Sequence, residues 1–343
     1  MSMETNKKIL VGIVIGMLLL IVISIFVVTK NTLTGHAVYE YENNKPVQLA
    51  INTLPNSALI HIAQEKGYFN EEGLDVQYKP FATGKLALDA LLGSGADIAT
   101  TADVPITLAI LANQKISVLA TIEYSVDNIR VIARKDSGIL KPADLKNKKI
   151  ATTKGGGPMF YTDKFLEKYN IDKSKVSIVY LTPNEMVTAL IQKDIDAFIV
   201  FEPAPSIAIK EIGRERLTIF EDDNIYGETW NIVAMKDYAD KNPEIIKQFF
   251  KALVKAEKFM EDNPKESLSI VAKYSGNDEL TTTQILSKQK IGVVLNNILV
   301  TSLKEEALWA ITNKLSTAQN IPNFEEYITK KYLLEVKPEG VKV

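Results

Sequence analysis

Residues 149–158 have the sequence KIATTKGGGP, in which a short apolar run leads through three glycines to a proline. The run at 149–153 is typical of a β-strand, and Pro158 fits the first turn of a helix, here expected over 158–169. Outward from this stretch, apolar runs of four to seven residues alternate with amphipathic segments from residue 46 onward. This alternation predicts an α/β fold with a mostly parallel sheet.

The same reasoning places the other elements along the chain. Strands are expected at 49–54, 76–81, 97–100, 116–122, 129–134, 176–181, 197–201, 217–220 and 230–235. Helices are expected at 57–66, 85–92, 105–113, 184–193 and 205–212, and a helical C-terminal part at 243–261, 264–274, 282–287 and 303–315.

The composition is that of a globular protein long enough for two domains, with 343 residues, 46% hydrophobic and 24% charged. The formal net charge is −2 from 40 basic and 42 acidic side chains, so nucleic acid is not an expected partner. The sequence contains no Cys, which excludes thiolate metal sites, Cys nucleophiles and lipidation of an N-terminal Cys.

The N-terminus carries an apolar segment, 9–29, without a charged residue and flanked by Lys7, Lys8 and Lys30. Its 21 residues would span about 30 Å as a helix, enough to cross a bilayer. We therefore expect a single-pass anchor with the N-terminus inside and the remaining chain extracytoplasmic, followed by a tether at 30–45. A cleaved signal peptide is the alternative, with a small-residue site at 35–37.

Candidate sites lie where predicted strands lead into helices, because unpaired N–H groups of helix N-termini point into a crevice there. Four such junctions, 54–57, 82–85, 101–105 and 154–158, carry small or capping residues. The glycines at 155–157 suit either an anion-cradling loop or a flexible connection.

Two carboxylates and two histidines are candidate site residues. Asp103 suits either a helix N-cap or the crevice, and Glu202 either the crevice or a solvated loop. His61 is expected as a partly buried helix residue, and the other histidine, His36, lies in the tether. No metal-ligand spacing and no GxSxG motif occur, so no metal, cofactor or catalytic residue is predicted.

Several segments together resemble the solute-binding proteins of ABC importers in the nitrate/sulfonate/taurine and thiamine-precursor group. They are ALIHIAQEKGYF at 58–69, EGLDV at 72–76, FATG at 81–84, GADIATTAD at 95–103, RKDSGI at 134–139, ADLKNKKIA at 143–151, DIDA at 194–197, FEP at 201–203 and NPE at 242–244. The resemblance covers nearly all of 47–274.

The resemblance implies a two-lobed periplasmic-binding-protein fold of the second type, with lobe 1 at 46–134 plus 228–343 and lobe 2 at 135–227. It also implies a ligand clamped between the lobes. The ligand-binding residues that it implies are Asn56, Ser57, Thr83, Gly84, Thr101, Ala102, Asp103, Gly156, Gly157, Glu202, Tyr226 and Trp230. Family members often have a hydroxyl residue where this chain has Gly155–Gly157, so only backbone N–H groups remain there.

The resulting expectation is a monomeric, membrane-tethered receptor that captures a small anionic or zwitterionic solute and delivers it to a permease and an ATPase. A binding protein for a thiamine pyrimidine precursor and an enzyme of cofactor biosynthesis on the same scaffold are the alternatives. The iron-dependent enzymes of that group carry a cysteine-rich motif, which this chain lacks. A tethered sensor domain differs from the receptor only in its partners.

Overall fold

The computed structural model of the protein describes residues 45–343. The predicted membrane anchor and all but the last residue of the predicted tether lie outside the described residues. Within 45–343, no helix combines the length and the apolar composition that crossing a membrane requires.

Two β-sheets organise the described chain. The strands are β1 Val47–Asn52, β2 Val76–Phe81, β3 Ile98–Ala102, β4 Ile116–Ser125, β5 Ile129–Arg134, β6 Lys149–Thr152, β7 Ser177–Tyr180, β8 Ala197–Phe201, β9 Leu217–Phe220, β10 Glu228–Met235, β11 Lys290–Asn296 and β12 Val341–Lys342. Seven strands form one sheet in the order β12-β11-β4-β10-β3-β1-β2, and five form the other in the order β7-β6-β8-β5-β9. We call the bodies around them the seven-stranded lobe and the five-stranded lobe.

Helices cover the faces of both sheets. The α-helices are α1 Ala58–Glu65, α2 Tyr68–Glu71, α3 Gly84–Leu92, α4 Asp103–Leu111, α5 Gly157–Lys168, α6 Pro183–Ile191, α7 Ala204–Ile212, α8 Lys236–Lys241, α9 Pro243–Asp262, α10 Pro264–Ser275, α11 Glu279–Leu286, α12 Asn297–Thr312 and α13 Lys331–Val336. Short 3-10 turns lie at Pro55–Ser57, Lys135–Ser137, Pro142–Leu145, Lys173–Lys175, Arg214–Arg216, Phe324–Tyr327 and Pro338–Gly340.

The longest of these helices, α9, shows why the C-terminal part is helical. Its buried residues include Ile246, Phe249, Phe250 and Leu253, which recur at the three- and four-residue spacing of one helix face. Phe249 stacks on Phe69 of α2 with ring centroids 5.1 Å apart. The helix therefore packs its apolar face against the N-terminal part of the same lobe.

The expectation of a mostly parallel sheet is wrong, because both sheets are mixed. β10 runs antiparallel to β3 and β4, and β5 runs antiparallel to β8 and β9. The parallel pairs are β1 with β2 and β3, β6 with β7 and β8, and β11 with β12. The chain leaves the seven-stranded sheet after β4 and returns to it at β10. The first strand after each crossover, β5 and then β10, runs antiparallel to both of its neighbours named above.

The lobe limits observed in the sheets differ from the predicted ones at the first crossover. The expected boundary put 129–134 in lobe 1, whereas Ile129–Arg134 pairs with β8 and β9 of the five-stranded sheet. Strands between 47 and 125 and from 228 onward belong to the seven-stranded sheet, and those between 129 and 220 to the other. The sequence patterns do not predict helices α2, α8 and α13 or strands β11 and β12.

Candidate functional site

A cavity of about 290 Å³ lies between the two lobes, bordered by the carboxyl ends of parallel strands from both sheets. Seven of the predicted binding residues line it: Asn56, Thr83, Gly84, Ala102, Gly156, Gly157 and Trp230. This position, outside strand ends where helices begin, is where α/β proteins bind small ligands.

Helix N-termini from both lobes open onto the cavity. In the seven-stranded lobe, α3 begins at Gly84 after the N-cap Thr83, whose hydroxyl oxygen accepts a hydrogen bond from Leu86 N at 3.3 Å. In the five-stranded lobe, α5 begins at Gly157 after the N-cap Gly156, which has no side chain to accept such a bond. The first N–H groups of a helix have no acceptor within it, so both ends offer donors to an anion.

Two glycines are required by close contacts across the cavity wall. A Cβ atom on Gly84 would lie 2.9 Å from the Cα of Thr101 and would overlap the ring of Trp230. A Cβ atom on Gly157 would lie 2.8 Å from Oε2 of Glu228 and 3.0 Å from Cε1 of Tyr226. Gly157 belongs to the five-stranded lobe and Glu228 to the other, so this glycine allows the lobes to meet.

A second interlobe contact involves Gly155, whose φ of +71° is in the left-handed region that favours glycine. A Cβ atom on Gly155 would lie 3.0 Å from Cε of Lys85, the second residue of α3. Lys85 also pairs with Asp89, with 2.5 Å between Nζ and Oδ2. The glycine-rich segment therefore touches the opposite lobe and is more than a connection.

Trp230 forms part of the apolar wall and is fixed from behind by another predicted site residue. Its indole N–H donates to the hydroxyl oxygen of Ser57 at 3.2 Å. Ser57 is fully buried and does not line the cavity. Ser57 therefore orients Trp230 and does not itself face the cavity.

Asp103 is fully buried behind the cavity wall and does not line it. Its carboxylate accepts hydrogen bonds from the hydroxyl of Tyr226, from Thr229 N at 3.0 Å and from Thr229 Oγ1 at 3.1 Å. It is also the first residue of α4, where Oδ1 accepts from Val104 N at 3.0 Å, and Ala102 occupies the N-cap position. Asp103 thus joins α4 to the returning strand β10.

Tyr226 and Thr101 likewise lie outside the cavity lining. Tyr226 is buried with its hydroxyl on Asp103, and its ring packs edge-on against Phe160 at 5.2 Å. Thr101 is fully buried in β3, and its carbonyl oxygen accepts from Asn231 Nδ2 at 3.4 Å. Tyr226 therefore contributes to the junction between the lobes, whereas Thr101 is bonded within the seven-stranded lobe.

Glu202 is neither a cavity residue nor a solvated loop carboxylate. It is buried, and its Oε1 lies 2.8 Å from the guanidinium nitrogen Nη1 of Arg130 on β5. Its other oxygen accepts from Ser206 N, in the first turn of α7, at 3.2 Å. These contacts satisfy the carboxylate within the five-stranded lobe.

Thirteen further residues line the cavity and are not among the predicted binding residues, although Lys85, Pro105, Lys154 and Pro158 lie in the predicted strand-to-helix junctions. The thirteen are Asn52, Lys85, Leu86, Pro105, Thr153, Lys154, Pro158, Tyr180, Leu181, Thr182, Glu185, Phe201 and Glu228. One of them had a local signal: Glu228 precedes Trp230 by two positions on the same strand, and alternate strand residues point to the same face.

Two carboxyl groups in the lining differ in protonation. Glu185 accepts from Thr182 N at 2.8 Å and from Thr182 Oγ1 at 2.7 Å, and these bonds lower its pKa. Burial and the charge of Asp103 raise the pKa of Glu228 to about 8, although a hydrogen bond from Asn128 opposes the shift. Near neutral pH Glu228 is therefore mostly uncharged, while Glu185 is ionised.

His61 was expected to be partly buried, and it is fully buried in α1. Its Nε2 lies 3.0 Å from the carbonyl oxygen of Thr53, and its ring stacks on Tyr274 with centroids 5.1 Å apart. Burial lowers its pKa to about 4, so it is a neutral structural residue. Within residues 45–343, no group of three or more His, Asp or Glu side chains is arranged to hold a metal ion.

Comparison with known proteins identifies relatives over most of the chain. The family model described as "NMT1/THI5 like" matches residues 54–267. The taurine-binding periplasmic protein of Escherichia coli is 26% identical over 335 residues, covering 89% of this chain and 98% of that protein.

Solved structures share the fold. The alkanesulfonate-binding protein of Xanthomonas axonopodis pv. citri, bound to MOPS, aligns with a TM-score of 0.71 and 18% identity over 83% of this chain and 99% of that one. The periplasmic nitrate-binding protein of Synechocystis aligns with a TM-score of 0.70 and 15% identity over 87% and 89% of the two chains. The two-lobed periplasmic-binding-protein fold is thereby confirmed.

Proposed function

Because the chain belongs to the NMT1/THI5-like family, we propose that it is the extracytoplasmic solute-binding receptor of an ABC importer, specific for a small sulfonate-bearing solute. The family match, the taurine-binding relative and the shared fold support this proposal. The observation that carries it is a cavity between two lobes, with a helix N-terminus from each lobe at its wall.

The residues that line the cavity suit a solute in which an acidic group is attached to an apolar part. Amide donors at Gly84 and Gly157 suit the oxygen atoms of an anion, and the ammonium group of Lys154, which lies 6.0 Å from the ring of Tyr180, adds positive charge nearby. The side chains of Phe201 and Trp230 provide apolar surface for the remainder of the solute.

Among the described lining residues, the Thr182 hydroxyl donates to Glu185, but this pair forms the capping box at the start of α6 and has a structural role there. The two carboxyl groups of the lining, Glu185 and Glu228, belong to opposite lobes. We therefore assign capture and unchanged release, without catalysis.

The partners are a permease and an ATPase, and the receptor acts as a monomer. Its lobes are 46–127 plus 228–343 and 129–220, and the apolar segment at 9–29 attaches it to the membrane.

The experiment is calorimetric titration of the purified full-length chain with taurine, ethanesulfonate and nitrate, followed by mass spectrometry of the recovered solute. We expect saturable binding of a sulfonate and recovery of the same compound. Conversion of the solute to a product would contradict the receptor assignment, and absence of sulfonate binding would contradict the ligand class.

A matched pair of lysine variants locates the site. Lys154→Met removes a cation beside the cavity and is expected to weaken ethanesulfonate binding about fivefold, equivalent to about 1 kcal/mol. Lys210→Met removes an exposed cation that lies 3.7 Å from Asp278, outside the cavity lining, and should bind as the wild type does. Equal losses in both variants would contradict binding in this cavity.

A further inference from the structure

Four carboxyl groups are buried together beside the cavity: those of Asp103, Glu123, Glu228 and Glu306, each no more than 3% exposed. Their hydrogen-bond donors are neutral groups, such as Tyr226 and Thr229 on Asp103, Thr107 on Glu306 and Asn128 on Glu228. Four negative charges cannot be held at close range in a dry interior without cations. Some of these carboxyl groups therefore hold protons.

Asp103 is the best placed of the four to remain ionised. Its oxygens accept from the Tyr226 hydroxyl, from the N–H and hydroxyl of Thr229, and from Val104 N. Burial raises the pKa of Asp103, but these bonds favour the charged form and oppose that shift. The other three groups have fewer donors, and burial together with the charge of Asp103 raises the pKa of each of them.

Glu228 alone of the four lines the cavity. Its Oε1 accepts from Asn128 Nδ2 at 3.1 Å, which directs Oε2 towards Gly157, where a Cβ atom would come within 2.8 Å of it. The carboxyl group therefore lies against the N-terminus of α5, beside the amide donors assigned to the acidic group of the solute.

We propose that Glu228 determines specificity by donating a hydrogen bond from its protonated carboxyl group to an acidic oxygen of the bound solute. The inference rests on the proposed function, because it requires an anion at the N-terminus of α5. Protonated Glu228 adds a donor to the cradle, whereas ionised Glu228 places a negative charge on the cavity wall. Binding of an anion is thus linked to retention of this proton.

The charged and titratable groups around Glu228 come from every neighbouring element. Asp103 on α4, Glu123 on β4, Glu306 on α12 and Tyr226 before β10 lie on the protein side. Lys85, Lys154 and Glu185 lie on the cavity side. Because several of these groups can titrate, a variant of Glu228 itself is needed to distinguish its titration from that of its neighbours.

The test is the pH dependence of ethanesulfonate affinity, because a sulfonate does not change its own charge near neutral pH. For the wild type, we expect the association constant to fall about tenfold between about pH 7 and about pH 9. Glu228→Gln keeps a neutral donor and should give an affinity that does not change over this range. Glu123→Gln, the same change at an equally buried position outside the cavity, should retain the wild-type pH dependence.

A wild-type affinity that does not vary with pH, or a Glu228→Gln variant with the wild-type slope, would overturn the inference and leave the receptor assignment intact. Failure of all sulfonates to bind at any pH would instead overturn the proposed function. Infrared titration of the ligand-free protein separates the two cases. Between about pH 7 and about pH 9, the carbonyl band of protonated carboxyl groups should weaken in the wild type and stay constant in Glu228→Gln. A band that stays constant in the wild type would refute the inference directly.

Discussion

Replacing Gly157 by alanine tests whether the N-terminus of α5 must approach the opposite lobe for a solute to be held. The added methyl group would lie 2.8 Å from Oε2 of Glu228, 3.0 Å from Cε1 of Tyr226 and 3.2 Å from its hydroxyl oxygen. Both side chains are buried, and the hydroxyl of Tyr226 is bonded to Asp103. The strain is therefore relieved most easily by moving α5 away, which opens the cleft.

The magnitude follows from the cost of overpacking a tight contact, about 1–3 kcal/mol. If this cost falls on the closed form alone, the affinity for ethanesulfonate decreases by about 5- to 150-fold. Calorimetric titration measures the loss. If α5 moves away from Glu228 and Tyr226 in the ligand-free variant, the strain is relieved there, and thermal unfolding of that variant should change little.

Gly156→Ala is the matched control, since it adds the same methyl group one residue earlier. That methyl would lie 3.5 Å from Oγ1 of Thr153 and 3.7 Å from Cδ of Pro158, which are ordinary contacts, and the backbone there is extended. We expect a smaller loss of affinity than for Gly157→Ala. Wild-type affinity in Gly157→Ala, or an equal loss in both variants, would refute the reasoning.

Two further predictions concern stability. The pKa of His61 is about 4 in the fold and 6.5 in the unfolded chain, so the unfolded state takes up the proton first as the pH falls. The wild type should therefore lose about 2 kcal/mol more than His61→Gln between about pH 7 and about pH 5 in urea unfolding, and equal losses would contradict a buried neutral histidine. Glu202→Gln should destabilise the fold by about 1–2 kcal/mol, because it removes the buried negative charge beside Arg130, which keeps its ion pair with Glu221. Its affinity for ethanesulfonate should be unchanged, and a large decrease would place Glu202 in the site after all.

Local sequence signals are sufficient for the elements that surround the cavity. The strand expected at 149–153 is Lys149–Thr152, and the helix expected at 158–169 is Gly157–Lys168. Proline and glycine set these limits through their own backbone preferences, independently of distant residues. The same holds for α3, where Thr83 and Gly84 mark the start.

The direction of a strand and the partner of a buried side chain are decided by distant parts of the chain. β10 has no local feature that sets it antiparallel to β3. It also begins at Glu228, two residues before the start that its apolar run predicts. Asp103 and Glu202 have the chemistry of ligand-binding residues, but Tyr226, Thr229 and Arg130 satisfy them within the fold. Partners 123 and 126 residues away from Asp103 are not visible in local patterns.

The central claim is that a sulfonate group is held by amide groups at helix N-termini of both lobes. The most direct measurement is a crystal structure of the chain with ethanesulfonate. We predict sulfonate oxygens within hydrogen-bond distance, about 2.7–3.2 Å, of the amide nitrogens of Gly84 or Lys85 and of Gly157. A sulfonate bound elsewhere, or one in the cavity that contacts the amides of neither helix, would contradict the account.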